Sequence, residues 1–331
     1  MEALHKKIIK AVVNNKAEHD ALRCVLFYRV ADDGPSRMQV VNNAVAVDMP
    51  SPFDLQGICV PADKLLAALN KRDDAQVKAT AKRLQVTSKG FKASIPLVPS
   101  INFPRQFPEG EKYTLEHGLI DSLKIASAFS ADKKSGRIWM RGVVIRKGYI
   151  YGTDGMTMVR IFEDDLDPGL ALALPDAAVH ELLRINKPIE AIRASDSSAT
   201  FKIGDVWLRT ALYNAGDVPD LDRVVPDCRD AAAVPDGLLK ALEDLTPFCE
   251  KSFPCIEIGG GVVSAYHNES GDADAFVQVN GLPEEDSRWR ADLLARVLRV
   301  ATHLDVKAYP SASGFTNKSN IDGAIMGVRD Q

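Results

Sequence analysis

Arg137-Ile138-Trp139-Met140-Arg141-Gly142-Val143-Val144-Ile145-Arg146-Lys147-Gly148-Tyr149-Ile150-Tyr151-Gly152-Thr153-Asp154-Gly155-Met156-Thr157-Met158 is the stretch that decides the fold. An apolar, β-rich run reaches a Lys147-Gly148 turn, and a second such run ends in Thr153-Asp154-Gly155, so the segment reads as a hairpin closing on a tight Asp-Gly turn.

Outward from this hairpin the same order of elements recurs. Before it, Leu115, Leu119, Leu123 and Ala126 fall at helical spacing. After it, a helix starting at Leu174-Pro175 carries Val179, Leu182 and Leu183, and Ile189 to Ala194, Thr200 to Ile203 and Val206 to Leu212 read as strands ending at Asp217-Val218-Pro219. The N-terminal stretch has an amphipathic helix around Leu4, Ile8, Ile9 and Val12, then strands over Leu22 to Val30 and Met38 to Val47. A helix follows from Pro61, the favoured first-turn position for proline, and strands run from Gln76 to Leu97 before Asn102-Phe103-Pro104. Pro61 and Pro104 are 43 positions apart, Pro175 and Pro219 are 44 apart, and the two helix-start prolines are separated by 114. One further period reaches Trp289, which opens a helix through Leu298, with Asp305 to Tyr309 echoing the strand at Val77. Matching helices also arise by chance in α+β chains. Three copies nevertheless describe the spacing best, giving domains over 1–110, 111–230 and 231–331, each an antiparallel sheet with two helices on one face.

Composition limits what such a chain does. It has 331 residues, 46% of them hydrophobic, and a formal charge of −4, which excludes a uniformly basic nucleic-acid coat but leaves 41 Lys and Arg free to gather locally. Cys24, Cys59, Cys228, Cys249 and Cys255 are odd in number and scattered, which fits a reducing cytosol better than a disulfide framework. No run approaches the ~18 apolar residues of a spanning helix, and the N-terminus lacks an export signal, so a cytoplasmic protein without membrane contact is expected.

Basic residues recur on the helices. Lys6 and Lys10 lie on the first, Lys64, Lys71 and Arg72 on or after the second, Lys124, Lys133 and Lys134 near the third, and Arg184 and Lys187 on the fourth. Arg296, Arg299 and His303 form one stripe on the last. Solvated helix faces often look like this. Repetition in every copy favours DNA contact, weakened by interleaved Asp63, Glu116, Asp121, Glu181, Glu243, Asp244 and Asp292. No zinc-finger spacing or recognition helix is visible, so phosphate contact without sequence preference is expected.

Together these segments resemble the bacterial sliding clamp, the beta subunit of DNA polymerase III. The likeness rests on Arg137 to Gly142 with Val143 and Val144, on Gly152-Thr153-Asp154-Gly155, on Val60-Pro61 with its helix, on Arg83 to Ser88, and on the Phe-Pro and Val-Pro ends. It spans the chain and is weakest in the third copy. The compact length and altered pocket suit a bacteriophage or otherwise divergent version. The resemblance implies a non-enzymatic processivity factor without cofactor or metal, two chains joined head to tail into a six-domain ring lined by twelve helices. Twelve helices about 10 Å across give a circumference of roughly 120 Å and about 38 Å between opposing axes, enough for a DNA duplex.

It further implies a cleft for short linear motifs of a DNA polymerase and a clamp loader. The matching positions are Met140, Thr153, Gly155, Met156, Thr157 and Met158, with Ile325, Met326, Gly327, Val328 and Arg329. The family pattern has His-Arg-Leu after the turn and Met-Pro-Met-Arg-Leu at the terminus; this chain has Met156-Thr157-Met158 and Met326-Gly327-Val328-Arg329-Asp330-Gln331. Methionines suit an adaptable pocket and ordinary core packing alike. The ring seam falls near Ala93 and Ile95 on one side and Phe276 and Val277, within Ala273 to Val279, on the other.

Catalytic chemistry finds little support. Cys249, Cys255 and His267 match no zinc spacing, and Gly259-Gly260-Gly261 lacks the Lys-Ser or Lys-Thr of a phosphate loop and reads as a hairpin turn. The alternative from another class is a metal-dependent nucleic-acid enzyme using Asp164 and Asp165, although with Asp167 and Pro168-Gly169 these look like an exposed loop.

Overall fold

A computed structural model describes residues 3–13, 16–31, 33–266 and 275–329; His267, Ala273, Asp330 and Gln331 lie outside them. One order of elements occurs three times. It first comprises α1 (Ala3–Val12), β1 (Cys24–Arg29), β2 (Ser36–Val41), β3 (Val45–Pro50), β4 (Ile58–Pro61), α2 (Ala62–Ala68), β5 (Gln76–Ala79), β6 (Arg83–Ser88) and β7 (Phe91–Pro96). A linking strand, β8 (Glu111–Thr114), precedes α3 (Ile120–Ala128), β9 (Val143–Arg146), β10 (Tyr149–Thr153), β11 (Thr157–Phe162), β12 (Ala171–Leu174), α4 (Asp176–Ile185), β13 (Ala191–Ala194), β14 (Ser198–Ile203) and β15 (Val206–Ala211). A second linker, β16 (Ala232–Ala233), leads to α5 (Leu238–Leu245), β17 (Cys255–Gly259), β18 (Val262–Tyr266), β19 (Phe276–Gln278), β20 (Ser287–Arg290), α6 (Ala291–Leu298), β21 (His303–Leu304), β22 (Ala312–Thr316) and β23 (Ile321–Met326).

The chain forms two compact units, one of 1–120 with 174–213 and the other of 121–173 with 214–331. The first holds an eight-stranded sheet, β4-β1-β2-β3-β15-β14-β13-β8, and a three-stranded sheet, β5-β6-β7. The second holds β12-β9-β10-β11-β23-β22-β21-β16 and the four-stranded β19-β18-β17-β20. In both large sheets, the first strands of one copy continue into the last strands of the next. β3 pairs antiparallel with β15, Val47 opposite Leu208, and β11 pairs antiparallel with β23, Val159 opposite Gly323.

Alternation explains the layering in the first unit. Val25, Phe27, Met38, Val40, Val47, Leu208 and Phe201 point to one face and are fully buried, with α1 packed against β2 and β3 and α4 against β15. Each such burial is worth about 1.5–3 kcal/mol. The opposite face carries a second apolar cluster of Leu26, Tyr28, Ala46, Cys24 and Cys59 beneath Phe103.

Several sequence expectations are corrected. Met38 to Val47 is two strands joined at Asn42, whose Oδ1 accepts from the Ala44 and Val45 amides, each at 2.8 Å. The run from Ile138 to Arg141 is a 3-10 turn, and Leu115 and Leu119 precede α3. Trp289 belongs to β20, fully buried with its indole N–H donating to Ser287, so the last helix begins at Ala291. Val306–Ala308 is a 3-10 turn in place of the expected strand. His303 lies on β21, off the helical stripe, because α6 ends at Leu298. The glycine run turns between β17 and β18 with Gly260 at φ 56° and Gly261 at φ 80°. Among the described residues no helix is long and apolar enough to cross a membrane.

Candidate partner-binding and DNA-facing surfaces

The Asp154 turn is closed by its own side chains. Thr153 Oγ1 donates to the Thr157 carbonyl at 2.7 Å and accepts from the Gly155 amide at 3.1 Å. Asp154 Oδ1 accepts from the amides of Met156 and Thr157 at 2.9 and 2.7 Å, a side-chain substitute for a backbone turn. Its other oxygen accepts from Arg296 Nη1 of α6 at 2.7 Å, and that guanidinium lies 5.6 Å from the centre of the Phe129 ring. Gly155 takes φ 91°, which glycine adopts without steric cost. The hairpin sits directly on α3: a Cβ at Gly152 would lie 1.9 Å from the Ala126 carbonyl oxygen.

β23 runs beside this turn. The Met326 amide donates to the Met156 carbonyl at 2.9 Å, and the Val328 amide to Arg288 at 2.8 Å. The Tyr309 hydroxyl donates to the Val328 carbonyl at 2.6 Å, while its ring lies so close to Gly327 that a Cβ there would be 2.5 Å away. The structure therefore brings the Asp154 turn and the C-terminal segment together. Met140, Thr153, Thr157, Met158, Ile325 and Gly327 are buried; Met326 and Val328 are half-buried; Gly155, Met156 and Arg329 are exposed.

Sequence reading overlooked Tyr309 and the Asp154–Arg296 pair. Both join positions far apart in the chain, and spacing within one element carries no trace of them. It also overlooked Asp222, which accepts from Lys147 at 2.9 Å, Tyr151 at 2.7 Å and Arg160 at 3.2 Å. Partial burial raises the Asp222 carboxyl, but these hydrogen bonds and the Lys147 charge outweigh it and hold it below the usual carboxylate range. The network pins the segment around Leu221–Val224 to β10 and β11.

Of the basic helix residues, several are already engaged. Lys6 pairs with Asp73 at 3.9 Å, Lys64 with Asp63 at 3.5 Å, Arg299 with Glu243 at 3.2 Å, and Arg184 with Glu181. Arg184 Nη1 also donates to the Lys7 carbonyl of α1 at 2.7 Å. Arg72 stacks 3.6 Å over Phe91, and His303 Nδ1 is 2.9 Å from the Thr302 hydroxyl. Lys10, Lys71, Lys124, Lys133, Lys134 and Lys187 are exposed. The seam candidates lie on sheet edges: Ala93 and Ile95 on β7, Phe276 and Val277 on β19, with Phe276 68% exposed. Asp164 and Asp165 sit in turns after β11, where Asp167 Oδ1 accepts from the Gly169 amide at 2.7 Å. All five cysteines are free; burial pushes the Cys255 thiol up to about 11.

By sequence, no family model matches the chain and no curated protein matches it. By structure the match is extensive. The beta subunit of DNA polymerase from Streptococcus pyogenes superposes with a TM-score of 0.83 over 99% of this chain and 97% of that one, at 17% identity. The DNA polymerase sliding clamp of Pseudomonas aeruginosa gives 0.81 over 98% and 96%, at 18% identity. The fold is that of the beta sliding clamp. A third beta clamp with this fold, from Helicobacter pylori, was solved bound to a DNA ligase peptide and gives a TM-score of 0.81 over 98% and 97%, at 13% identity. At these identities the likeness is one of fold, and it extends over nearly the whole chain.

Proposed function

We propose that this chain is a sliding clamp: a non-enzymatic processivity factor that encircles duplex DNA as a head-to-tail pair and tethers a polymerase and other replication proteins. The observation that carries this reading is the pattern of strand edges. β3 meets β15 and β11 meets β23, so by the same rule β19 of the third copy requires the last strands of a following first copy, β5-β6-β7. Within one chain that pairing is unmade, and both β7 and β19 remain edges. A second copy supplies each missing partner, and two chains of three domains (1–110, 111–230 and 231–331) close the circle.

Lysines on or beside the helices, Lys10, Lys71, Lys124, Lys134 and Lys187 among them, would face the duplex and give salt-sensitive contacts without sequence preference. Retention would come from enclosure. The protein is therefore expected to stay on nicked circular DNA and to be lost when the circle is cut to a linear form; equal retention on both would show ordinary adhesive binding.

The surface around Met156, Met326 and Val328 is the proposed docking place for short linear motifs, in keeping with the peptide held by the Helicobacter pylori clamp. Met156→Asp puts a charge where an apolar side chain would be covered, and partner peptides should bind about tenfold or more weakly. The mass of the dimer should be unchanged. Unaltered peptide affinity would move the docking place elsewhere.

A further inference from the structure

On the face of the first unit's large sheet away from α1 and α4, residues 103–110 cross the strands as a strap. Gln39 Nε2 donates to the Gln106 carbonyl at 2.8 Å and Gln39 Oε1 accepts from the Gln106 amide at 2.9 Å. Arg209 Nη1 donates to the Phe107 carbonyl and Nη2 to Glu109, both at 2.7 Å, and Arg193 Nη1 reaches the Gly110 carbonyl at 3.2 Å. Between strap and sheet lies a groove of about 230 Å³ whose walls include Tyr28, Ala46, Phe107, Pro108 and Trp207. The strap's anchors preform it.

The charges around this groove do not balance. Asp48 is buried and satisfied by the Tyr28 hydroxyl, Arg37 Nε and Gln39, and Arg209 is matched by Glu109. Arg105, stacked on two of the rings that line the groove, has its guanidinium 4.3 Å from the centre of the Tyr28 ring and 4.9 Å from that of Phe107, with no carboxylate partner among the described residues. Phe107 itself is 52% exposed. Two aromatic rings thus hold an unpaired cation beside an apolar slot.

We propose that this groove binds an acidic linear peptide, with an aromatic side chain seated against Trp207 and Tyr28 and a neighbouring Asp or Glu paired to Arg105. A guanidinium on ring faces keeps its N–H edge free for a carboxylate. A peptide fits better than a nucleic-acid strand: a continuous row of phosphates calls for a row of available cations, whereas Arg37 and Arg209 in the groove wall are already paired with Asp48 and Glu109. The site is separate from the Met156 surface and does not depend on ring formation.

The test uses the whole protein and the peptide acetyl-Asp-Glu-Phe-Leu-Asp-amide, followed by tryptophan fluorescence. Trp207 is half-buried in the groove, whereas Trp139 and Trp289 are buried elsewhere. A saturable change is expected, weakened about tenfold or more by Arg105→Glu and unaffected by Met156→Asp. The lysine counterpart, acetyl-Lys-Lys-Phe-Leu-Lys-amide, should prefer the Arg105→Glu protein. No saturable change, or equal binding by the wild type and Arg105→Glu, overturns the proposal. So does single-stranded oligothymidine producing the signal in place of the peptide.

Discussion

Phe276→Asp is expected to run in solution at the 36.1 kDa of a single chain, and the unaltered protein at twice that mass. Phe276 is 68% exposed on β19, so the substitution disturbs no packing within the chain and its unfolding midpoint should hold. Paired to β7 of a second copy, the side chain would be covered, and an aspartate there loses its water without gaining a hydrogen-bond partner. That costs about 3 kcal/mol, roughly a hundredfold in affinity at each seam. A head-to-tail pair has two identical seams, so the penalty applies twice and the ring should be lost altogether. Retention on nicked circles should vanish with it. A Phe276→Asp protein that still sediments as a dimer would place the joint on other strands.

Gly152→Ala should produce the largest loss of stability among single-methyl additions in the hairpin. Its Cβ would fall 1.9 Å from the carbonyl oxygen and 2.7 Å from the carbonyl carbon of Ala126. Both atoms are backbone at the end of α3, where no rotamer change gives relief, so β10 and the helix must move apart. A cost of about 3 kcal/mol is expected, read as a lower denaturant midpoint with an unchanged slope. Gly155→Ala is the informative comparison. There the new carbon meets only the Met140 methyl at 3.0 Å, a flexible end, and the penalty reduces to the positive φ, about 1 kcal/mol. Equal losses at the two positions would show that the close approach of strand and helix at Gly152 is not real.

Much of the architecture was legible because the chain marks its period with residues of local meaning. Pro61 and Pro175 stand at the N-caps of α2 and α4, where the fixed φ suits entry to a helix. Their spacing exposes the repeat. The third copy has Arg290 at the corresponding place, and the reading slipped there: Trp289 looked like a helix start although its ring fills the core of the four-stranded sheet's unit. Met38 to Val47 read as one strand because Asn42-Asn43 carries no glycine, and only the Asn42 side chain, bonded to two amides, reveals the turn. The candidate docking residues were legible as a group and not individually. Met140 lies in a 3-10 turn, Met156 in the Asp-Gly turn and Met158 on β11, so no single periodicity tells the exposed Met156 from the buried Met140 and Met158.

Arg296 belonged to a basic stripe in the sequence and to the Asp154 turn in the structure. That double membership has a practical cost for anyone dissecting the molecule by alanine scanning. Truncating Arg296 removes a cation from the helix and at the same stroke frees the carboxylate that shapes the loop beneath Met156. A drop in DNA retention and a drop in peptide capture would then arrive together from one lesion. Lys124, exposed on α3, is the cleaner choice for isolating the electrostatic contribution.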